Sequence, residues 1–181
     1  MDDSKIYGFD PIIFQDSKYL ILGTLPGKKS LETKFYYADR GNCFWQFLSQ
    51  YMGCSFPLSD SDKIQLLKNS QIALWDNYAS GIRVNRRGMK KTSRDVDIIS
   101  EELNNIEELL LRYPNIKRIG LPGKRAYATF IKHYPMLRGV QLPSTSGSNG
   151  GQWGKRNPAG TLDVNKIGWK IWSEFLSSNN L

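Results

Sequence analysis

The sequence is poor in the residues that hold metals and form disulfides. Among its 181 residues there are two cysteines and one histidine. Cys43 and Cys54 belong to no C-x-x-C pair and lie far along the chain from His133, so the ligand spacing of a structural zinc site is missing. We therefore expect reduced thiols and no bound metal.

Long apolar runs are absent as well. No stretch approaches the ~20 apolar residues that cross a bilayer, and the N-terminal segment MDDSK is acidic without an apolar core. No low-complexity tract divides the chain, and 181 residues with 40% hydrophobic content are enough for one buried core. These features predict a single domain over residues 1–181, located in the cytoplasm.

Acidic residues are outnumbered by basic ones. The chain has 25 Lys and Arg against 17 Asp and Glu, which gives a formal charge of +8 and a pI near 9.5. Such a surface attracts polyanions and makes their binding sensitive to salt, so nucleic acid is the predicted class of partner. The alternative is that the excess lysine only keeps the protein soluble.

Short apolar runs alternate with amphipathic segments along the chain. The runs predict strands at residues 19–22, 72–76, 116–121 and 139–142. Apolar residues at helical spacing predict helices at residues 44–52, 60–67, 96–113, 124–134 and 162–176. This alternation is typical of an α/β protein, and we expect a three-layer α/β/α sandwich with a short, mainly parallel central sheet of about four strands.

Two polar segments that contain glycine, 23–27 (GTLPG) and 142–149 (LPSTSGSN), each follow a predicted strand. Loops that leave the carboxyl ends of strands in an open α/β sheet converge on one crevice, so the two segments are expected to build a single site. Between them, residues 35–45 place aromatic rings beside the Asn42 amide and the Arg40 guanidinium. That combination suits an unstacked nucleic-acid base.

A phosphate-binding loop is the competing interpretation of the first segment, because GTLPGKKS follows a strand. A P-loop requires G-x-x-x-x-G-K-[ST], but here the second glycine comes four positions after the first. Pro26 also removes one amide donor. The spacing argues against a nucleoside triphosphate site, which remains the lesser alternative.

Four segments, in this order along the chain, resemble motifs of the uracil-DNA glycosylase superfamily: residues 23–27, 36–45, 73–76 and 142–146. The branch that the chain resembles most is that of the hypoxanthine (deoxyinosine) DNA glycosylases, followed by the mismatch-specific uracil-DNA glycosylases. The resemblance implies an enzyme that flips a deaminated base, hypoxanthine or uracil, out of double-stranded DNA and hydrolyses its N-glycosidic bond, with neither a metal nor an organic cofactor. Single-stranded DNA is a further candidate substrate, and a monomer is expected.

Cleavage of this bond leaves negative charge on the departing base, so the site needs fixed donors near the base and a positioned water near the sugar. The amides of Thr24 and Leu25 are candidate donors. The resemblance implies that Tyr37 stacks on the base and that Asn42 is the first candidate for the catalytic residue. Asp39 departs from the pattern, since this place is commonly His in the hypoxanthine branch, and its carboxylate near the sugar is the second candidate. The alternatives are core packing for Tyr37, a helix N-cap for Asn42 and a surface ion pair for Asp39.

Leu25 departs from the family pattern, because other branches carry a water-activating Asn, Asp or Glu in this motif. A nucleic-acid-binding module without catalytic activity is therefore the alternative function. A lyase reaction through a lysine Schiff base stays open, although no single lysine stands out. The sequence also leaves open which base is removed.

The second loop and the segment after it are expected to contact the DNA backbone through hydroxyl, amide and basic groups. These candidates are Ser144, Thr145, Ser146, Asn149, Lys155 and Arg156. A simple turn is the alternative for the serines. Trp153, in segment 150–157, is expected to enter a groove and fill the gap left by the flipped base. The basic loop 83–94 is another candidate contact.

Overall fold

The computed structural model describes residues 5–56, 58–83, 98–154 and 160–177. In chain order its elements are β1 (Ile6–Tyr7), β2 (Tyr19–Gly23), α1 (Lys28–Thr33), α2 (Phe44–Tyr51), α3 (Asp60–Asn69), β3 (Ile72–Asp76), β4 (Tyr78–Arg83), β5 (Ile98–Leu103), α4 (Ile106–Arg112), β6 (Arg118–Pro122), α5 (Lys124–His133), β7 (Val140–Leu142), a 3-10 helix (Gly147–Gln152) and α6 (Ile167–Ser177).

The central sheet has four parallel strands in the order β3-β2-β6-β7. Strand β2 is apolar without alternation because both faces of the sheet are covered, and residues 20–22 are fully buried. In the register of β2 and β3, Gly23 pairs with Asp76, so the carboxyl ends of these two strands lie side by side. The predicted parallel sheet of four strands is confirmed.

Helices cover both faces of this sheet. Helices α2, α3 and α6 pack their apolar sides on one face, and the fully buried Phe44, Phe47 and Trp172 lie in this layer. Helices α4 and α5 cover the other face, where Ile106 and Phe130 are fully buried. The sheet between two helical layers is the predicted three-layer sandwich. Within the described ranges, no helix combines the length and the apolar character that a membrane span requires.

A second sheet, in the order β1-β4-β5, was not predicted. The predicted helix 96–113 is wrong over residues 98–103, which form β5 and pair with β4 in antiparallel fashion. Ile98 is buried and its neighbour Ile99 is exposed, which is the alternation of a strand. The apparent helical spacing arose because a strand is followed closely by α4, where the side chain of Asn105 accepts a hydrogen bond from Glu108 N at 3.1 Å.

Local signals fix the ends of the helices that precede the site. Gly53, with φ of 69°, follows the end of α2 in a left-handed conformation that glycine adopts without strain. Helix α3 begins at Asp60, the expected residue, and a capping box between Ser59 and Asp62 fixes this start. Helices α2 and α3 therefore begin and end within two residues of their predicted bounds.

Candidate functional site

A cleft of about 980 Å³ opens at the carboxyl ends of the four parallel strands. Its lining includes the last residue of every strand of the central sheet: Gly23, Asp76, Pro122 and Leu142. The first loop (residues 23–27) and the second loop (residues 142–149) both face it, together with part of segment 36–42. The structure thus brings the two loops to one crevice, as their positions after strands predicted.

The second loop is tied to the segment that carries Asn42. Cys43 N donates a hydrogen bond to Thr145 O at 2.9 Å. A Cβ atom on Gly147 would lie 3.0 Å from the carbonyl oxygen and 3.2 Å from the Cα of Gly41, so the backbones touch at this point. A side chain at position 147 would therefore require the Gly41 backbone to shift by a few tenths of an ångström.

The first loop is held by the strand next to it. Gly23 O accepts hydrogen bonds from Asn77 N at 3.0 Å and from Asn77 Nδ2 at 2.8 Å, and Thr24 O accepts one from Tyr78 N at 3.1 Å. Thr24 and Leu25 are both buried in the free protein. A Cβ atom at position 23 would clash with the buried Asp76 carboxylate, so any larger residue there would force that side chain to move. The loop is therefore a fixed wall of the cleft.

Asn42 lines the cleft at the start of α2 and makes a hydrogen bond to that helix. Its Oδ1 accepts from Phe44 N at 2.9 Å. Because a backbone N–H requires an acceptor, this bond fixes which end of the amide is oxygen, and Nδ2 is the opposite end. The N-cap of α2 is Cys43, so the predicted alternative of Asn42 as the N-cap is wrong, and Asn42 instead binds the first helical N–H from the residue before the cap.

Asp39 is exposed at the rim of the same cleft. Its Oδ1 accepts a hydrogen bond from Gly41 N at 2.7 Å, and its carbonyl oxygen accepts one from Asn42 N at 2.9 Å. Asp39 therefore shapes the turn that delivers Asn42 to the cleft. Its carboxylate lies at the cleft, and its role in catalysis stays a prediction.

The adjacent tyrosines Tyr36 and Tyr37 have different environments. Tyr36 is buried in the core, where its hydroxyl donates to Asp10 O at 3.1 Å, and burial raises its pKa well above the usual range. Tyr37 is only half-buried, and its ring stacks on Phe44 with 4.4 Å between centroids. Tyr37 also adopts φ of 54°, an unusual conformation for an aromatic residue that is concentrated at functional sites.

The residues predicted to contact DNA differ in accessibility. Ser146 is exposed, Ser144 and Asn149 are half-buried, and all three line the cleft. Thr145 is 1% exposed, so in the free protein its backbone carbonyl, which binds Cys43, is its evident contribution. Lys155, Arg156 and most of the basic loop 83–94 lie outside the described residues.

The expected role of Trp153 is wrong. Trp153 is 1% exposed, its Nε1 donates to Ser144 O at 2.9 Å, and its ring packs edge-on against Phe47. A side chain held in this way supports the second loop from beneath and cannot insert into DNA. Glycine and polar residues flank Trp153 in the sequence, which suggested an exposed loop. In the fold, Leu162 and Trp172 belong to the apolar cluster around Trp153, and the local sequence did not indicate this contact.

The cleft also contains charged residues beyond those that the sequence singled out. Asp76 is 4% exposed and lies at the floor beside Gly23. Basic side chains outnumber acidic ones in the described lining of the cleft. The basic residues are Lys28, Lys29, Arg83, Lys124 and Arg125, and the acidic ones are Asp39 and Asp76. A cleft with this balance attracts a polyanion. In the described part of the chain, no cluster of His, Cys, Asp and Glu could hold a metal ion.

Comparisons with known proteins give a consistent result. The family model described as the uracil DNA glycosylase superfamily matches residues 12–169. A hypoxanthine DNA glycosylase of Methanosarcina acetivorans is 31% identical over 148 residues, covering 78% of this chain and 87% of that protein. A hypoxanthine DNA glycosylase of Methanosarcina barkeri is 32% identical over 151 residues, covering 80% and 89%. A Methanosarcina acetivorans protein solved by solution NMR, provisionally described as a uracil DNA glycosylase, matches with a TM-score of 0.72 and 26% identity over 96% of this chain and 97% of that one.

Proposed function

Because the chain belongs to the uracil DNA glycosylase superfamily and is a DNA N-glycosylase, we propose that it removes a deaminated base from double-stranded DNA after flipping the nucleotide into the cleft. Hypoxanthine is the first proposed base, since the two curated relatives are named for it, and uracil is the second. The observation that carries the proposal is the convergence of Tyr37, Asn42 and the first loop on one basic cleft.

Tyr37 is the proposed platform for the flipped base. A base that leaves the duplex loses its stacking partners, and an aromatic ring returns part of that energy, on the order of 1–3 kcal/mol per base. One face of the Tyr37 ring is already covered by Phe44, which holds the ring at a fixed angle. A rigid ring at the edge of the cleft is a better platform than a mobile one because no side-chain entropy is lost on binding.

The main-chain groups of the first loop are proposed to form hydrogen bonds with the edge of the flipped base. Its carbonyls at Gly23 and Thr24 are engaged by Asn77 and Tyr78, so the loop cannot rotate to satisfy a ligand. Main-chain groups held in this way are preorganised, which makes them effective at stabilising charge that develops during a reaction. The buried apolar side chain of Leu25 supplies no group that could activate water.

Asn42 is the proposed catalytic residue, acting as a hydrogen-bond donor to the departing base. In the reaction, water adds to the sugar carbon, the glycosidic bond breaks, and the base leaves with the electron pair and gains a proton. Because Oδ1 of Asn42 is engaged by Phe44 N, the Nδ2 amide is the end with donors to offer. A donor near the departing base stabilises its developing negative charge. Asp39, at the rim, is the proposed carboxylate near the sugar.

The second loop is the proposed contact to the phosphates on either side of the flipped nucleotide. Ser144, Ser146 and Asn149 place hydroxyl and amide groups along the cleft, and such groups commonly bind DNA phosphates without reading sequence. Lys155 and Arg156 continue this proposed contact along the chain.

The test is a base-release assay on labelled duplexes that contain one deoxyinosine or one deoxyuridine opposite each normal base. We expect the wild-type protein to release a base and Asn42→Ala to lose this activity, while Asn69→Ala, at the end of α3 away from the cleft lining, serves as the matched control. Tight, salt-sensitive binding of every duplex without any release would instead favour the DNA-binding module and overturn the proposed reaction.

A further inference from the structure

Four consecutive carbonyl groups of the first loop, from Gly23 to Pro26, accept hydrogen bonds from residues 77–83. The first two are bound by Asn77 and by the backbone N–H of Tyr78, as described above. The next two are bound by a side chain. Nη2 of Arg83 donates to Leu25 O at 3.0 Å and to Pro26 O at 3.1 Å.

This side-chain contact lies where the loop has few hydrogen-bonding groups of its own. Pro26 has no N–H to donate, and Gly27, which precedes α1, makes no side-chain cap for that helix. One nitrogen of Arg83 fixes two adjacent carbonyls and therefore the orientation of the peptide planes between Leu25 and Gly27. The Leu25 N–H, a candidate donor to the base, lies in the peptide immediately before these planes, so Arg83 fixes the segment that follows this donor.

We propose that Arg83 is a positioning residue for base excision: its guanidinium locks the first loop in the conformation that receives the flipped base. This inference rests on the proposed function. Arg83 does not contact the reacting bond in this assignment but acts through the Leu25 and Pro26 peptides. A displacement of about 1 Å in a group that receives the substrate can cost on the order of a hundredfold in rate, so a locked loop has a large kinetic effect.

A direct phosphate contact is the competing role for a basic side chain that lines this cleft. The two roles differ in what they change. Loss of a phosphate contact weakens DNA binding and reduces the slope of log K against log salt by about 1, with little effect on the rate once DNA is saturated. Loss of a positioning residue lowers the rate at saturation and leaves the affinity and its salt dependence nearly unchanged.

The experiment compares the wild type with Arg83→Ala, Arg83→Lys and the control Arg138→Ala, an exposed arginine outside the cleft lining. Dissociation constants are measured at several salt concentrations, and base release is measured in single turnover with excess enzyme on the deoxyinosine duplex. For Arg83→Ala we expect a rate roughly 10- to 100-fold lower at saturation, with affinity within about threefold of the wild type.

Two further readouts separate positioning from a general loss of structure. Arg83→Lys keeps the charge and some donor capacity, so it should recover part of the rate. Added methylguanidinium should restore part of the Arg83→Ala rate and leave Arg138→Ala unchanged. A wild type that releases no base would overturn the proposed function and this assignment with it. Release at wild-type rate by Arg83→Ala, or a loss confined to affinity and salt slope, would overturn the assignment alone.

Discussion

Replacing Asn42 by aspartate and by alanine should separate the structural contribution of this side chain from its proposed catalytic one. The hydrogen bond to α2 uses the amide oxygen, which accepts from Phe44 N, whereas the proposed catalytic contact uses the amide nitrogen. Aspartate keeps an acceptor for Phe44 N and loses the donor. Alanine loses both groups.

The expected effects on stability follow from this hydrogen bond. Loss of the hydrogen bond from Phe44 N costs about 1 kcal/mol, which for a protein of this size lowers Tm by roughly 2–4 °C, so Asn42→Ala should melt in this range below the wild type. Asn42→Asp should be at least as stable as the wild type, because aspartate keeps an acceptor for Phe44 N and α2 has no acidic residue in its first turn to complement the helix dipole.

The expected effects on activity run differently. Removal of one donor to a developing negative charge costs on the order of 10²–10³ in rate, so both variants should fall by that factor in single-turnover base release. Asn42→Asp should be the poorer catalyst although it is the more stable of the two, because a carboxylate repels the departing base. Release by Asn42→Asp within about tenfold of the wild type would refute the donor role and indicate an acceptor that positions water.

Three other predictions follow from single contacts. Tyr37→Ala should weaken binding of a duplex with a flippable deoxyinosine by roughly 1–3 kcal/mol while Tyr37→Phe stays near the wild type; equal losses would contradict stacking. Hydrogen bonds from Lys5, chiefly, and from Ser80 lower the pKa of Glu102 below its ordinary 4.5, so the stabilising contribution of Glu102 is present above pH 4.5 and is lost as pH falls below it. The free energy of unfolding in urea should therefore fall less between pH 7 and pH 3.5 for Glu102→Gln than for the wild type. An equal fall in both proteins would argue against the Lys5–Glu102 ion pair. Trp153→Ala should cost about 3–5 kcal/mol of unfolding free energy, and the folded fraction should process single-stranded and duplex DNA with losses in proportion; a loss restricted to duplex would restore the insertion role.

Much of the fold could be predicted because its strongest signals are local. The central strands are short, mostly apolar runs that end at or just before glycine, proline or aspartate. In the helices that flank them, apolar residues recur about every 3.6 positions. The second sheet could not be predicted in this way. Residues 98–103 read as part of a longer helix, and only pairing with β4, a contact between separate parts of the chain, makes them a strand.

The site was partly predictable for the same reason. Position after a strand was enough to bring the two loops to one crevice, and the order of four short motifs was enough to indicate the family, which the family match confirms. The role of Trp153 was missed because burial depends on α2 and α6, which meet it only in the folded chain. Arg83 was read only as part of a basic loop, since its two carbonyl partners lie more than fifty residues earlier in the sequence.

The hydrogen bond of Asn42 to α2 and its proposed catalytic role support each other. An asparagine side chain in a polar cleft can rotate and can flip its amide, and each freedom costs entropy when a ligand selects one arrangement. The bond from Phe44 N removes both freedoms before DNA arrives, because it fixes the rotamer and assigns the oxygen to the helix. The start of α2 is in turn held against the second loop through Cys43 and Thr145. The donor is thereby held in place by the same fold that closes the cleft, and loosening this hydrogen bond should reduce the rate even where the amide nitrogen is kept.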